Sequence, residues 1–497
     1  MKKFFLWFLF FTVIFSLTIS CTQIESGIPS GNNNQSEEPK KPKEPEKPKE
    51  PEKPKEPENP VEEFTLELFK SKYMTFLDVI PVVRIETAGG VSITGTSDAH
   101  YRDAEVSIEG AGFYDISNWS VRIKGRGNST WDMPKKPYLI KADRKTTIFG
   151  LPSVRDWVLM ANYTDKSLIR NYTAHLLGRS LPSMDFNSNV IWVELYFNGR
   201  YDGLYCLQDQ IESNSERVDV ENYSFDADGK LLDVGFLLEV DWTNRNPGSV
   251  LNRDYFTVSG LNNICFFLKY PKYGDKGFED TASHNQAVAY IRDYISAVNN
   301  AIQSQDFYDF SSLCDLDSFV DYLLVKELSR DVDGAQLSIF MNKKIGEKMQ
   351  MGPLWDFDLA FGNADYIPFT TDYSSPEGWY VVLQSGSGGQ QLSWFNSIMK
   401  MDDYYEAFRT RFLEISDLNI QFTIDCIDPV REAIRSAADR NFQRWDRLGK
   451  YDWPNPPQVV AIKTWDGQVD YVKDFLSGRN IWMYDQLYDR SSIPGIR

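Results

Sequence analysis

The spacing of apolar residues predicts strands throughout the first half of the chain. Between residues 80 and 124, apolar and polar side chains alternate, which is typical of antiparallel strands with one buried face. Short runs of the same kind predict five more strands: Tyr138–Lys141, Trp157–Met160, Val190–Phe197, Gly203–Gln208 and Phe236–Val240. The pair Asn198-Gly199 tolerates positive φ, so it predicts a hairpin turn between two of these strands.

The spacing changes in the second half, where helices dominate. Apolar residues between Val288 and Ile302 recur every three or four positions, which is the period of an amphipathic helix. The same period predicts five other helices: Lys166–Arg179, Phe319–Leu328, Tyr404–Ile415, Asp425–Arg444 and Gly467–Tyr488. We expect Asp317 or Ser318 to cap the second of these. A strand-rich part followed by a helix-rich part indicates an α+β fold.

The first residues resemble the export signal of a bacterial lipoprotein. A basic pair precedes an uncharged apolar run from Phe4 to Leu17, which is too short for a lasting membrane span. The small residue Ser20 directly before Cys21 predicts acylation of that cysteine and a lipid anchor in the membrane. Thr22 in place of an aspartate favours sorting to an outer membrane or the cell surface. The alternative is a plain secretory signal in which Cys21 is incidental.

Three segments are therefore predicted. Residues 1–20 form the signal peptide, residues 21–60 a disordered tether that repeats KPKEPE, and residues 61–497 one domain without a second linker. Lysine and glutamate balance over the first sixty residues, so the net charge of -18 falls on the domain. Such a surface lacks the basic footprint that nucleic acid requires, but it is compatible with a divalent metal.

Four aspartates flank a predicted hairpin in the second half. Strands at Leu337–Lys343 and Lys348–Leu354 would turn at Gly346, so residues before the first strand return beside residues after the second. This places four carboxylates together: Asp331, Asp333, Asp356 and Asp358. They would repel one another unless a divalent cation lay between them, and oxygen ligands suit Mg²⁺ or Mn²⁺. The alternative is that they are ordinary aspartates in turns. With only three histidines, the chain offers little for a histidine triad or a histidine-rich zinc site.

A glycine-containing loop follows a predicted strand upstream of this hairpin. Its backbone amides and hydroxyl groups could cradle phosphate. The loop residues concerned are Gly125, Arg126, Gly127, Asn128 and Ser129, and Lys135, Lys136 and Lys141 come next. In a kinase-like site such a loop precedes a strand whose lysine neutralises the phosphates. The alternative is a β-turn with surface lysines.

Several ordered motifs resemble the CotH family of atypical kinases, named for spore-coat protein H. They run from about Pro81 to the C-terminal helices: RGNSTW, KKPYLIK, WVLMANYTDKSLIRN, VELYFNGRYDGLYCLQDQIE, GFLLEVD, KELSRDVDG and MGPLWDFDLAFGN. The resemblance implies an atypical protein-kinase-like fold with a strand-rich N-terminal lobe and a helix-rich C-terminal lobe. It also implies phosphate transfer from ATP, with Mg²⁺ or Mn²⁺, to serine of an extracytoplasmic acceptor protein of unknown identity.

The resemblance further implies roles for the aspartates. Asp333 falls on the catalytic aspartate of the family, and Asp331 is a second, lower-ranked catalytic candidate. Asp356 falls on the metal-holding aspartate, with Asp358 as a second acidic ligand. The catalytic aspartate would act mainly by aligning the acceptor hydroxyl.

The resemblance assigns nucleotide binding to the upstream residues. Arg126 and the strand from Lys136 to Lys141 fall on the phosphate-binding part, and the lysine that reaches the phosphates is left open. Gln208 and Asp209 fall on the strand expected to face adenine.

Two other functions are compatible with the sequence. The chain could be an inactive scaffold or binding protein that keeps the kinase fold, because ATP is scarce outside the cytoplasm. A glycosidase that uses a carboxylate pair such as Asp333 and Asp356 is also chemically feasible. The upstream loop of glycines and lysines argues against the glycosidase, since a sugar hydrolase does not require it.

Overall fold

Seven strands in the first half of the chain close into a barrel. They are β1 (Val82–Thr87), β2 (Arg102–Glu109), β3 (Ile116–Gly125), β4 (Tyr138–Thr146), β5 (Val154–Met160), β6 (Val190–Phe197) and β7 (Arg200–Asp209). Their order around the barrel is β1-β2-β3-β4-β5-β7-β6. Neighbours are antiparallel except β1 and β6, whose parallel pairing closes the barrel.

This computed structural model describes residues 79–496 except 111, 113–114, 262, 367–371 and 388. The predicted signal peptide (1–20), Cys21 and the predicted tether (21–60) lie outside the described residues. These assignments, and the boundary of the predicted domain at residue 61, therefore stay predictions.

The barrel encloses an apolar core of its own. Val121 and Ile123 of β3 and Ile140 and Ala142 of β4 are buried together, because alternate residues of a strand point to the same side. The residues between them point outward. This alternation is the pattern from which strands were predicted over residues 80–124, and β1, β2 and β3 confirm that prediction.

A second sheet lies in the following part of the chain. The sheet consists of β10 (Phe236–Asp241), β11 (Tyr255–Phe256), β12 (Cys265–Tyr270), β13 (Ile339–Lys343) and β14 (Gln350–Met351), and a separate small hairpin is formed by β8 (Tyr223–Phe225) and β9 (Leu231–Val234). The strands of the sheet pair in the order β11-β12-β10-β13-β14, with β10 at the centre. The hairpin predicted between the aspartates is β13 and β14, and its turn contains Gly346 at φ 74°.

The described residues also form α-helices, most of them in the second half of the chain. They are α1 (Ser129–Asp132), α2 (Arg170–Arg179), α3 (Thr281–Ser304), α4 (Phe307–Leu313), α5 (Leu316–Leu328), α6 (Val381–Ser385), α7 (Trp394–Ile398), α8 (Asp402–Ile415), α9 (Gln421–Arg444), α10 (Pro457–Ala461) and α11 (Trp465–Gln486). A larger apolar core joins the second sheet to these helices, and α5 is buried along most of its length. In the part of the chain described here, no helix combines the length and apolarity that a membrane span needs.

The local predictions succeed where the signal is periodic and fail at element ends. The hairpin turn is confirmed, with φ 47° at Asn198 and 73° at Gly199. The helix predicted from Lys166 begins only at Arg170, because the preceding residues form a turn. The predicted cap of α5 is wrong: Asp315 caps the helix, and its carboxylate accepts the Ser318 amide at 2.8 Å.

The prediction of a mixed α+β fold is confirmed. The prediction of two kinase-like lobes is not confirmed, since the strand-rich part is a closed barrel of seven strands and a second sheet lies among the helices. Closure of the barrel depends on pairing β1 with β6 across more than a hundred residues. Local periodicity does not contain that information.

Candidate active site

One cavity is lined by segments that lie far apart in the sequence. The loop after β3 contributes to it, as do the two ends of the β13–β14 hairpin. The predicted site residues that line it are Arg126, Gly127, Asn128, Ser129, Asp333, Asp356 and Asp358. The fold therefore brings the candidate phosphate loop and three of the four predicted aspartates to the same place.

The two glycines of the loop allow close packing of its backbone. Gly125 ends β3, and a Cβ atom there would lie 2.3 Å from the Trp131 ring. Gly127 has φ +81°, and a Cβ atom would lie 2.1 Å from Thr130 Oγ1. Gly127 lines the cavity, whereas Gly125 packs against Trp131 beside it. Side chains at either position would displace the loop.

Arg126 is the cationic residue of the loop that reaches the cavity. Its Nη1 lies 2.8 Å from the Met160 sulfur, and its guanidinium carbon is 5.3 Å from the centroid of the Trp355 ring. Burial lowers the pKa of this guanidinium, although the charges of Asp356, Glu239 and Asp358 oppose the shift. An arginine so placed presents several donors to an anion.

The three lysines that follow the loop point elsewhere. The fully buried Lys135 donates from Nζ to the Leu204 carbonyl oxygen at 2.5 Å. Lys136 donates from Nζ to the Trp131 carbonyl oxygen at 2.5 Å. Lys141 alternates with the inward-facing residues of β4, so it points outward and pairs with Asp156 at 3.5 Å. Among the described residues that line the cavity, none is a lysine.

Asp333 is half-buried at the first end of the hairpin. Gln336 Nε2 donates to its Oδ1 at 2.9 Å. Burial raises the pKa of the Asp333 carboxyl to about 7, and the charges of Asp331 and Asp356 add to the rise. Such a carboxyl changes its protonation state close to neutral pH.

Asp331, the second predicted catalytic residue, does not line the cavity. Its carboxylate is buried and pairs with Lys326, with Nζ and Oδ2 2.5 Å apart. Its other oxygen accepts the Asp333 amide at 3.1 Å. Asp331 therefore lies next to Asp333 but away from the cavity.

Asp356 lies at the second end of the hairpin in an uncommon backbone conformation. Its φ is 70°, in the left-handed region that residues other than glycine seldom adopt. Ser338 Oγ lies 3.4 Å from its Oδ2. The next amide, of Phe357, donates to Asn171 Oδ1 at 2.8 Å, and the Phe357 ring packs edge-on against His175. Strained residues of this kind cluster at functional sites.

Asp358 is buried two residues after Asp356, and both residues line the cavity. Thr164 Oγ1 lies 3.4 Å from its Oδ2. Burial, followed by the charge of Asp356, holds the pKa of this carboxyl well above its usual range. Two neighbouring carboxylates, each with a hydroxyl group 3.4 Å away, form a donor set that a hard divalent cation would stabilise.

The described residues contain no group of three His, Cys, Asp or Glu side chains able to hold a metal ion by themselves. A cation at Asp356 and Asp358 would therefore need further ligands from solvent or substrate. Mg²⁺ is commonly bound in this way, through one or two carboxylates together with phosphate oxygens. The residues present fit a cation that arrives with a phosphate ligand.

Three charged cavity residues were not predicted. Glu239 and Asp241 lie two positions apart on β10, and Arg245 follows in the next turn. Lys269 pairs with Glu239 at 2.6 Å, and burial, followed by the charge of Glu239, raises the pKa of Asp241 to about 6. Acidic residues on one face of an otherwise apolar strand were a signal that could have identified them.

An aromatic pair at the cavity was also not predicted. Tyr366 and Trp453 stack with their centroids 6.0 Å apart and an interplanar angle of 14°. Both line the cavity, and both are exposed. Trp453 comes from a loop nearly a hundred residues after Asp356, and no local pattern indicates which loop folds over the cavity.

Gln208 and Asp209 lie on β7 and face other partners. Gln208 Nε2 and His175 Nε2 are 2.8 Å apart in the buried core. Asp209 pairs with Arg217 at 3.1 Å. Neither residue lines the cavity, so the structure does not bring them to the candidate site.

The barrel, the helix-rich second part and this cavity define a mixed α+β protein whose site suits an anionic ligand accompanied by a cation. Residues 121–483, well over half of the chain, match the family described as CotH kinase protein. The chain therefore belongs to the CotH kinase family, as its motifs predicted. Membership indicates a kinase-like function and, in general, the use of ATP with a divalent metal. No curated protein matches the chain significantly.

Proposed function

We propose that the protein transfers the terminal phosphoryl group of ATP to a serine hydroxyl of an extracytoplasmic protein. The observation that supports this is the shared cavity, which is lined both by the Arg126–Ser129 loop and by Asp333, Asp356 and Asp358. Phosphoryl transfer depends mainly on alignment and on charges that face the phosphate groups. A glycine loop with an arginine, opposite a set of carboxylates, provides both.

Asp333 is the residue that would orient the acceptor. Its carboxylate accepts the hydrogen bond of the serine hydroxyl and then its proton, while the serine oxygen bonds to the γ-phosphorus and ADP leaves with the bridging oxygen. Gln336 holds this carboxylate from one side at 2.9 Å. A pKa of about 7 leaves the carboxylate free to accept a proton just above neutral pH.

The remaining cavity residues bind and orient the nucleotide. The guanidinium of Arg126 and the backbone of Gly127–Ser129 face the phosphates. Asp356 and Asp358 are the residues that would hold Mg²⁺ or Mn²⁺, which would offset the negative charge of the phosphates when bound. Thr164 and Ser338 orient these two carboxylates through their hydroxyl groups.

We also propose that the barrel and the helix-rich remainder serve as the two lobes of an atypical kinase. In support, each contributes residues to the same cavity, Arg126 from the end of β3 and Asp333 from the turn after α5.

We further propose that the protein acts outside the cytoplasm, held by a lipid on Cys21. The support is the uncharged apolar run from Phe4 to Leu17 and the position of Cys21 just after it. Metabolic labelling with a fatty acid should mark the parent protein and not a Cys21→Ser variant. Equal labelling of the two would exclude acylation at Cys21.

The test of phosphoryl transfer is incubation of the full chain with radiolabelled ATP and Mg²⁺ or Mn²⁺. Labelled phosphoserine should form in the chain itself or in an added envelope protein, and Asp356→Ala should abolish it. Asp143→Ala, which removes an exposed carboxylate of β4, is the matched control and should label like the parent. Undiminished labelling in Asp356→Ala would contradict the proposal. Binding of nucleotide without any labelling would identify an inactive scaffold instead.

A further inference from the structure

We propose that the buried ion pair between Lys326 and Asp331 positions both Asp333 and Asp356, and that Asp331 acts through this pair without touching substrate. The inference rests on the proposed function, because it concerns the alignment of the same cavity. It assigns to Asp331 a positioning role in place of the catalytic role expected from the sequence.

The pair is enclosed by protein. Lys326 lies near the end of α5 with its side chain 0% exposed, and the Asp331 side chain is 2% exposed. Nζ and Oδ2 are 2.5 Å apart, and the Asp331 amide also donates to the Lys326 carbonyl oxygen at 3.0 Å. Away from water, opposite charges at this distance are held firmly together. The two side chains therefore keep a fixed relative position.

Asp331 fixes the backbone that carries Asp333. Its Oδ1, the oxygen not nearest to Lys326, accepts the Asp333 amide at 3.1 Å. Its carbonyl oxygen accepts the Gly334 amide at 3.1 Å. An aspartate carboxylate that accepts the backbone amide two residues later defines a tight turn. That turn places Asp333 at the cavity.

Lys326 fixes the backbone that carries Asp356. Its Nζ donates to the Trp355 carbonyl oxygen at 3.1 Å, and the Phe357 amide on the other side donates to Asn171 at 2.8 Å. The peptide groups on both sides of Asp356 are thus held. A φ of 70° at an aspartate is unfavourable by itself, so the surrounding contacts must maintain it.

The Lys326 ammonium group therefore contacts both the Asp331 carboxylate, which accepts the Asp333 amide, and the Trp355 carbonyl oxygen, which directly precedes Asp356. A shift of Lys326 would move the turn before Asp333 and the carbonyl before Asp356 together. The relative position of these two carboxylates decides whether acceptor and phosphate are aligned. Misplacement of reacting groups by about 1 Å can lower a rate roughly 100-fold.

The test is the double variant Lys326→Met/Asp331→Asn in the full chain. Methionine keeps the stem of the lysine without its charge, and asparagine keeps an oxygen for the Asp333 amide. Since no buried charge is left unpaired, the fold should persist with a melting temperature near that of the parent. We expect kcat for phosphate transfer to fall about 10- to 100-fold.

The matched control is Arg411→Met/Asp321→Asn, which removes another ion pair of α5. Arg411 Nε and Asp321 Oδ1 are 2.8 Å apart, and Asp321 is fully buried like Asp331. This control should keep the parental kcat. An unchanged kcat in Lys326→Met/Asp331→Asn would overturn the proposal. It would also be overturned if Asp331→Asn alone were as damaging as Asp333→Asn while Lys326→Met was harmless, because Asp331 would then act directly.

Hydrogen exchange separates this inference from the proposed function. In Lys326→Met/Asp331→Asn, amides in residues 331–334 and 355–358 should exchange faster than in the parent and the control. Parental exchange in both segments would overturn the positioning role. If the parent transferred no phosphate under any condition, the proposed function would fail, and faster exchange would still support the role of the pair in holding the two turns.

Discussion

Arg126 lies over the indole of Trp355, with its guanidinium carbon 5.3 Å from the ring centroid. The two residues are more than two hundred positions apart, and each is adjacent to a predicted site element. Arg126 lies within the glycine loop, and Trp355 directly precedes Asp356. A cation stacked on an aromatic face is attracted to it by the ring quadrupole. This contact joins the loop after β3 to the segment after β14. A substitution of Arg126 would therefore affect both anion binding and the geometry of the cavity.

The first prediction concerns the basic residue that meets the phosphates. Arg126→Gln should weaken the affinity for a non-hydrolysable ATP analogue with Mg²⁺ about 10- to 100-fold, because hydrogen bonds to charged groups contribute roughly 1.5–3 kcal/mol. Isothermal titration measures this. Lys136→Gln and Lys141→Gln should bind like the parent, since neither lysine lines the cavity. A loss of affinity in Lys136→Gln equal to that in Arg126→Gln would show that the loop rearranges on binding.

The second prediction concerns the backbone of the loop. Gly127→Ala should lower the free energy of unfolding by at least about 1 kcal/mol, because alanine disfavours φ +81° and its Cβ would meet Thr130 Oγ1. It should also weaken nucleotide binding. Gly229→Ala is the control, since that glycine has a similar φ of +77° in open space. Denaturant unfolding should show a loss in both variants, while only Gly127→Ala changes the affinity for nucleotide. Parental affinity in Gly127→Ala would exclude the loop from binding.

Some of this site was predictable from the sequence, for physical reasons. The β13–β14 hairpin is local, and antiparallel pairing necessarily returns the Asp356 segment beside Asp333. The strand from Lys136 to Lys141 was predicted to include a phosphate-binding lysine, without a choice of residue. The alternation of β4 bears on that choice, because Ile140 and Ala142 face the barrel core and Lys141 therefore faces away from it.

Other features were outside the reach of sequence reasoning. The role of Asp331 depends on Lys326, which lies five residues earlier on α5. This helix is mainly apolar and buried, and its periodicity gives no sign that its one lysine forms an ion pair. The stacking of Trp453 on Tyr366 depends on how distant loops fold over the cavity. Contacts of this kind are determined by tertiary packing and not by local periodicity. Closure of the barrel through β1 and β6 belongs to the same class.

The third prediction is a pH-dependent gain of stability in Asp333→Asn. The folded protein keeps a proton on Asp333 up to a pKa of about 7, whereas the unfolded carboxyl loses it near its ordinary value. The folded state therefore binds more protons between these values, and its stability falls as pH rises through them. Asparagine does not ionise, so the Asp333→Asn variant does not lose stability as pH rises through this range.

We expect Asp333→Asn to exceed the parent by roughly 1–2 kcal/mol in free energy of unfolding at pH 8, a value reduced from the full shift because the side chain is partly exposed. The difference should disappear near pH 4. Denaturant unfolding in chelator-treated buffer measures it, with the exposed Asp143→Asn as control. An equal difference at both pH values would show that the effect does not arise from ionisation of Asp333.

The fourth prediction separates metal binding from nucleotide binding. Because Asp356 and Asp358 are too few to hold a cation alone, Mg²⁺ or Mn²⁺ without nucleotide should hardly change the melting temperature. Metal and nucleotide together should stabilise the parent, by about 2.7 kcal/mol when the ligand is present at 100 times its Kd. Asp356→Asn should lose the metal-dependent part and keep the part that nucleotide produces in chelator, which Arg126 provides. Strong stabilisation of the parent by metal alone would contradict a cation shared with phosphate. It would indicate further protein ligands, and Glu239 and Asp241, which also line the cavity, would be the carboxylates to test.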